Sequence, residues 1–165
     1  MPDPQAQPPI DLMELESLVE RTEVRDIRLQ RFSGEVLRTP PESVDVRLTN
    51  SLPRYALQEG SILALFTHRL DFEELSEQNA DEQPVGHVEV THIVELELRG
   101  EGEPSDDSVS ALLATNVLFM VYPYVRAALQ RLPVEFGLPP ILLPYLRRDV
   151  SSPLHGELTP PDADD

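Results

Sequence analysis

The stretch that decides the fold is residues 108–125, SVSALLATNVLFMVYPYV, which contains no charged residue. It lies within residues 105–132, which we interpret as one long helix with Ser105 or Asp106 as its N-cap. A helix that packs on a single sheet needs apolar residues only on the face that it buries. This helix has no polar stripe, so its second side must be covered as well.

Three arrangements could provide that cover. A membrane span needs about 20 apolar residues, and the polar residues and Pro123 dilute this stretch. Burial within one subunit requires more cover than a small sheet and a short helix supply. We favour a helix held between its own sheet and another subunit, which predicts an obligate oligomer. The predicted interface residues are Val117, Met120, Val121 and Tyr124. Because Pro123 cannot donate a hydrogen bond to the carbonyl of Phe119, we also expect a kink or a local opening there.

Four segments before this helix alternate apolar and polar residues, which is typical of antiparallel strands with one buried face. They cover residues 24–38, 44–49, 61–72 and 86–98. In the first segment the apolar parity changes near Gly34, which suggests a bulge. An amphipathic helix over residues 11–22 precedes them, with Asp11 and Glu14 spaced as a capping box. We therefore predict an α+β fold, a four-stranded antiparallel sheet with the long C-terminal helix packed on one face.

Length and composition limit the function. The 165 residues fit one domain, predicted over residues 10–148, and the net charge of −17 argues against nucleic acid and anionic lipid as partners. Residues 1–9 and the acidic tail, residues 149–165, are predicted to be disordered. The chain has no Cys and no Lys, which excludes disulfides, thiolate catalysis and a Schiff-base lysine. The start shows no signal segment, so we expect a cytoplasmic protein.

The sequence contains no motif for catalysis, for a cofactor or for a metal, and we predict that the chain is not an enzyme. Two histidines, His68 and His92, lie on the apolar parity of their strands. If those strands pair symmetrically about residue 80, the two side chains lie directly opposite each other. No carboxylate shares that parity nearby, so we favour a buried histidine pair over a metal site. Protonation below about pH 6.5 would then loosen packing or assembly.

Residues 116–146, NVLFMVYPYVRAALQRLPVEFGLPPILLPYL, resemble the SecB export-chaperone family. An apolar run leads into a Pro-Tyr-x-Arg motif, here Pro123 to Arg126, and a proline-containing apolar segment follows. The resemblance implies a homotetramer, a dimer of dimers, that acts without ATP as a holdase. It holds unfolded polypeptides in an apolar groove and supports protein export and translocation. The groove residues carried over are Phe32, Leu37, Leu138, Ile141, Leu143 and Tyr145, and Glu89 corresponds to a contact with the translocase motor SecA.

Three features differ from the export-type pattern. Residues 39–43 form a short crossover without aromatic residues, and Arg38 stands where an acidic residue is expected. The N-terminal helix and the string VRDIRLQR are more similar to SecB-like chaperones of toxin–antitoxin systems, which protect one antitoxin. We favour a general SecB-like holdase that supports protein export. A dedicated chaperone of one antitoxin is the alternative, and a purely structural scaffold is a third interpretation.

Overall fold

The computed structural model describes residues 11–74, 83–144 and 146. The α+β class predicted from the sequence is confirmed. The predicted disordered segments and Tyr145 lie outside the described residues. The elements in chain order are α1 (Leu12–Arg21), β1 (Thr22–Val36), β2 (Val44–Asn50), β3 (Arg54–Gln58), β4 (Ser61–Glu74), β5 (Gln83–Leu98), α2 (Asp106–Leu112), a π-helical segment (Leu113–Val117) and α3 (Leu118–Glu135).

The sheet has five strands, one more than the sequence predicted. Its order is β1-β5-β4-β2, with all pairs antiparallel, and β3 also pairs with β4. β2 and β3 follow one another along the same edge of β4. Pro53 separates them, because proline has no N–H to continue the ladder. The strand β3 was missed because it has five residues, too few for its alternation to stand out.

The bulges of β1 lie earlier in the strand than predicted. The register with β5 shifts between Val24 and Asp26 and again between Leu29 and Arg31. The second shift turns Phe32 to the same face of the sheet as Leu29. The parity change was therefore read correctly, but its placement near Gly34 was wrong. Gly34 pairs regularly with Val88.

Gly34 is needed for close packing rather than for a bulge. A Cβ at this position would lie 2.8 Å from ring atoms of Phe136. We expect Gly34→Ala to lower the free energy of unfolding by about 1–3 kcal/mol, because the ring or the strand must shift. Denaturant unfolding measures this, with Ser33→Ala as the control on the opposite face. A Gly34→Ala protein as stable as the parent would contradict the close approach.

The helix caps agree only partly with the prediction. Asp11 caps α1 by accepting hydrogen bonds from the backbone N–H groups of Met13 and Glu14. The Glu14 side chain does not complete a capping box. Its carboxylate accepts hydrogen bonds from the N–H and the hydroxyl of Ser105, both at 2.9 Å, and these bonds lower the pKa of Glu14. Ser105 is the N-cap of α2, as predicted, so Glu14 ties the N-terminal helix to the start of the long one.

The long helix contains an opening that the sequence did not predict. The helix is π-helical over Leu113–Val117, whereas α3 runs on through Pro123 and Pro133. The hydroxyl of Thr115 donates to the carbonyl of Ala111 at 2.7 Å. Such a side-chain bond competes with the backbone donor and widens a helix locally. The helix continues on both sides of Pro123, and the kink expected there stays a prediction.

The core lies between α3 and one face of the sheet, which we call the inner face. The inner-face side chains of β4 and β5 are almost fully buried. By length and composition the helical stretch Asp106–Glu135 could cross a membrane, a test that core helices of soluble proteins also pass. Half of its most apolar window is buried inside this chain. The other half of that window is not buried by the part of the chain that the structure describes.

Candidate functional site

The segment that follows α3, residues 138–144, is held along the helix and is called the strap. Tyr122 donates its hydroxyl to the carbonyl of Pro144 at 2.9 Å, and Arg126 donates Nε–H to the carbonyl of Leu143 at 2.8 Å. Burial raises the pKa of Tyr122, so this hydroxyl keeps its proton as a donor. These bonds fix an apolar segment that proline prevents from forming a helix.

The strap divides its apolar residues between the core and the surface. Leu138 and Leu143 are only 3% and 6% exposed and anchor the strap in the core. Ile141 is half-buried, whereas Leu142 is 84% exposed. Of the strap residues predicted to contact a client, Ile141 is thus the accessible one in this chain. Leu142, which was not predicted, adds a second apolar side chain at the surface.

β2 supplies apolar surface that the sequence analysis did not assign to a site. Its inner-face residues, Val44, Val46 and Leu48, border the core and are only half-buried, as is Ile141. The reason is that α3 packs chiefly on β5 and contacts β1 and β4 less. The alternation in β2 showed which side chains face inward. It did not show that the helix layer leaves this edge of the sheet uncovered.

Phe32 lies at the opposite edge of the sheet, on β1. Its ring is 51% exposed and packs edge-on against Phe136, with the ring centroids 6.5 Å apart. Leu37 is also exposed and follows β1 directly, where its N–H donates to the carbonyl of Val85 at 2.9 Å. The predicted groove residues therefore come from three segments of the chain. Phe32 lies on β1, Leu37 starts the crossover to β2, and the other described members lie in the strap.

The four predicted interface residues lie on two sides of the long helix. Val117 and Val121 are buried in this chain's own core. Met120 and Tyr124 are 49% and 50% exposed and lie one turn apart. The exposed apolar surface predicted for the second side of the helix therefore centres on Met120 and Tyr124. Their role in an interface stays a prediction.

Glu89 lies on the outer face of the sheet, away from the core. In the strand register it is flanked by Ser33 of β1 and Arg69 of β4. Farther along β5, the same face also carries Glu95 and Glu97. The contact of Glu89 with SecA stays a prediction.

The two buried histidines are diagonal neighbours rather than direct partners. Phe66 pairs with His92, and His68 pairs with Val90. The pairing of β4 with β5 is therefore symmetric about residue 79 and not, as predicted, about residue 80. Both side chains are 2% exposed. Burial and the charge of His92 lower the pKa of His68 to about 4, and burial also lowers the pKa of His92.

The surroundings of this pair contain unsatisfied polar atoms. Nδ1 of both histidines lacks a hydrogen-bond partner, and so does Oδ1 of Asn50, which pairs with His68 across β2 and β4. Within residues 11–74 and 83–144, no group of three or more acidic, histidine or cysteine side chains could hold a metal ion. The pair thus has the chemistry of a neutral core pair, since two ligands make a poor metal site.

Comparison with known proteins places these features in context. No family model matches the sequence. The chain is 25% identical over 146 residues to the SecB-like chaperone Rv1957 of Mycobacterium tuberculosis strain H37Rv, which covers 79% of this chain and 81% of the relative. The SecB-like chaperone MT2006 of strain CDC 1551 gives the same values.

The fold gives a matching result. The solved structure of the M. tuberculosis Rv1957 SecB-like chaperone, in complex with a ChAD peptide from the Rv1956 HigA1 antitoxin, superposes with a TM-score of 0.71. The two chains are 25% identical, and the match covers 83% of this chain and 99% of that one. Sequence and fold therefore indicate the same group of proteins.

Proposed function

We propose that this chain, a SecB-like protein by sequence and by fold, is a chaperone that holds an unfolded segment of an antitoxin. Its named relatives are SecB-like chaperones. The relative of known structure binds an antitoxin peptide, which supports an antitoxin as the client here. In this proposal the protein acts without ATP as a cytoplasmic homotetramer.

The observation that carries the proposal is the half-exposed apolar border along β2, together with the exposed apolar side chains of the strap. Four apolar side chains pack against the core but keep part of their surface exposed: Val44, Val46, Leu48 and Ile141. The side chain of Leu142 is almost fully exposed. Apolar surface that a folded protein leaves exposed as a patch marks an interaction site. Each 100 Å² of apolar surface that a client buries there contributes about 2.5 kcal/mol. Burial of this kind is not directional, so it suits an unfolded segment.

Solubility of the loaded complex follows from charge. The net charge of −17 keeps complexes apart by repulsion. It also favours clients with basic residues next to their apolar ones. A holdase needs this repulsion, because it exposes apolar surface and must still prevent aggregation.

Protein export is the second candidate function. The support for it is Glu89, on the acidic outer face of the sheet, where the family resemblance implies contact with SecA. We rank it below the antitoxin function because the short crossover lacks the aromatic residues of export-type members. Tight binding of one antitoxin segment together with weak protection of general clients would favour the first function.

We expect the parent protein to suppress aggregation of a chemically denatured client without ATP, at fewer tetramers than client molecules. Ile141→Ser with Leu142→Ser should weaken client binding about tenfold or more, since two apolar contacts are lost. Light scattering measures the suppression and fluorescence anisotropy measures the affinity. Leu138 is unsuitable for this test because its side chain lies in the core.

The matched control is Met13→Ser, which removes an equally exposed apolar side chain from α1. It should bind clients as well as the parent does. Unchanged scattering at excess parent protein would refute the holdase proposal. If Met13→Ser and the strap double variant lose client affinity equally, the assignment of client binding to this surface is refuted.

A further inference from the structure

The backbone of β2 has one side that no strand of the described chain occupies. Beyond the end of β2, the N–H of Ser51 donates to the carbonyl of Thr67 on β4 at 3.0 Å. The direction of backbone groups alternates from residue to residue along a strand. In the unbroken register of β2 with β4, the N–H and C=O groups of Val44, Val46 and Leu48 therefore face away from the sheet.

A side-chain contact confirms this direction independently. The N–H of Val46 lies 3.0 Å from Oδ1 of Asp45, its own neighbour in sequence. A carboxylate oxygen thus occupies the place where the carbonyl of an added strand would lie. This local bond can be exchanged for a bond to another chain, since both satisfy the same donor.

The other free edge of the sheet, β1, is less suited to pairing. Its register shifts after Val24 and again after Leu29. Bulges of this kind interrupt the regular spacing of edge groups and protect an edge from added strands. β2 has no register shift over its seven residues.

The free backbone groups and the uncovered side chains of β2 belong to the same residues. Val44, Val46 and Leu48 turn their side chains to the inner face, where they are half-buried. A strand added beside them would extend the hydrogen-bond ladder and cover the apolar border in one step. This is how extended peptides bind exposed sheet edges in general: backbone bonds provide affinity and alternate side chains provide specificity.

We propose that the client segment of this chaperone binds as an additional β-strand beside β2. Its carbonyl groups accept hydrogen bonds from the N–H groups of Val44, Val46 and Leu48, and the client displaces the Asp45 side chain from Val46. The proposal rests on the proposed function and specifies how the client is held. The released Asp45 carboxylate, on a chain of net charge −17, favours a basic client over a second copy of this acidic protein.

The test uses the full chain and reduced, alkylated lysozyme as an unfolded basic probe. Amide hydrogen exchange is measured with and without the probe. We expect exchange at Val44, Val46 and Leu48 to slow at least tenfold in the complex, with little change at β1. A second copy on this edge would instead slow the same amides without the probe and in proportion to protein concentration, which would overturn the proposal.

Proline substitution tests the hydrogen bonds directly. Val46→Pro removes an N–H that faces away from the sheet, so the β2–β4 ladder survives. Val46→Ala is the matched control, because it also removes the valine side chain but keeps the N–H. We expect Val46→Pro to bind the probe at least fivefold more weakly than Val46→Ala. If this pair of variants does not fold, Leu48→Pro and Leu48→Ala provide the same comparison.

The outcomes separate the two proposals. Normal probe binding without protection at β2, or equal affinity of the proline and alanine variants, overturns the added strand and leaves the chaperone function standing. If the parent protein binds neither the probe nor an antitoxin segment, the chaperone proposal itself fails.

Discussion

Replacing Tyr124 with arginine is expected to break the assembly of this protein into smaller species. Tyr124 and Met120 form the exposed apolar surface on the second side of the long helix, within 18 residues that carry no charge. If another subunit covers this surface, an arginine there is buried without a partner. A buried unpaired charge costs about 3–5 kcal/mol, and each symmetric interface repeats that cost.

Light scattering coupled to size-exclusion chromatography measures the result. We expect the parent protein at four times the chain mass of 18.6 kDa and Tyr124→Arg at a dimer or monomer mass. Val134→Arg is the matched control, since Val134 lies on the same helix, is similarly exposed and is outside the uncharged stretch. A parent protein that is a stable monomer would contradict the interface altogether, and an intact tetramer of Tyr124→Arg would remove this residue from it.

The second large effect concerns acid. His68 has an ordinary pKa of 6.5 when the chain is unfolded and a pKa of about 4 when it is folded. Between these values the unfolded chain binds more protons than the folded chain, so stability falls as the pH falls. The contribution of neutral His68 to the free energy of unfolding is complete above pH 6.5 and is lost as the pH falls toward 4. The difference corresponds to about 3 kcal/mol, and the lowered pKa of His92 acts in the same direction.

Urea unfolding at several pH values between 7 and 4 measures this loss. His68→Leu should remove most of the pH dependence, because an apolar side chain at this buried position takes up no proton. His87→Leu is the matched control, because it makes the same substitution on the same sheet outside the buried pair, and a loss of pH dependence as large as in His68→Leu would remove the assignment to His68. If the stability and assembly of the parent protein are unchanged between pH 7 and pH 4, the buried histidine pair does not lower the free energy of unfolding in acid, and the prediction is wrong.

Local patterns were sufficient for the main elements of the fold. The alternation along β1, β2, β4 and β5 and the uncharged helix predicted the α+β class, because each pattern reflects the environment of one element. The same reasoning failed for β3, a short strand after Pro53, and for the register of His68 and His92. A pairing register depends on a turn outside the alternating residues, and a shift of one residue changes every pair.

The candidate site was predictable only in part. The strap was recognised from its prolines and leucines, yet its sequence could not show that Leu138 and Leu143 point into the core while Leu142 points outward. β2 was recognised as a strand, yet nothing in its residues showed that α3 covers β5 and leaves Val44, Val46 and Leu48 half-exposed. The packing of Phe136 against the sheet was not predicted. The sequence hint was Gly34, where a Cβ would lie 2.8 Å from the Phe136 ring.

The amino-acid sequence by itself determined the helical regions, four of the five strands and the side chains of those strands that face inward. It also showed that the central part of the long helix carries no charge. These properties follow from the order of residues along each element, since burial and backbone geometry impose a period on it. The tertiary structure alone decided which half of the sheet the helix covers and which edge of backbone stays unpaired. Such properties arise when elements distant in the sequence pack together, and no period within a single element records them.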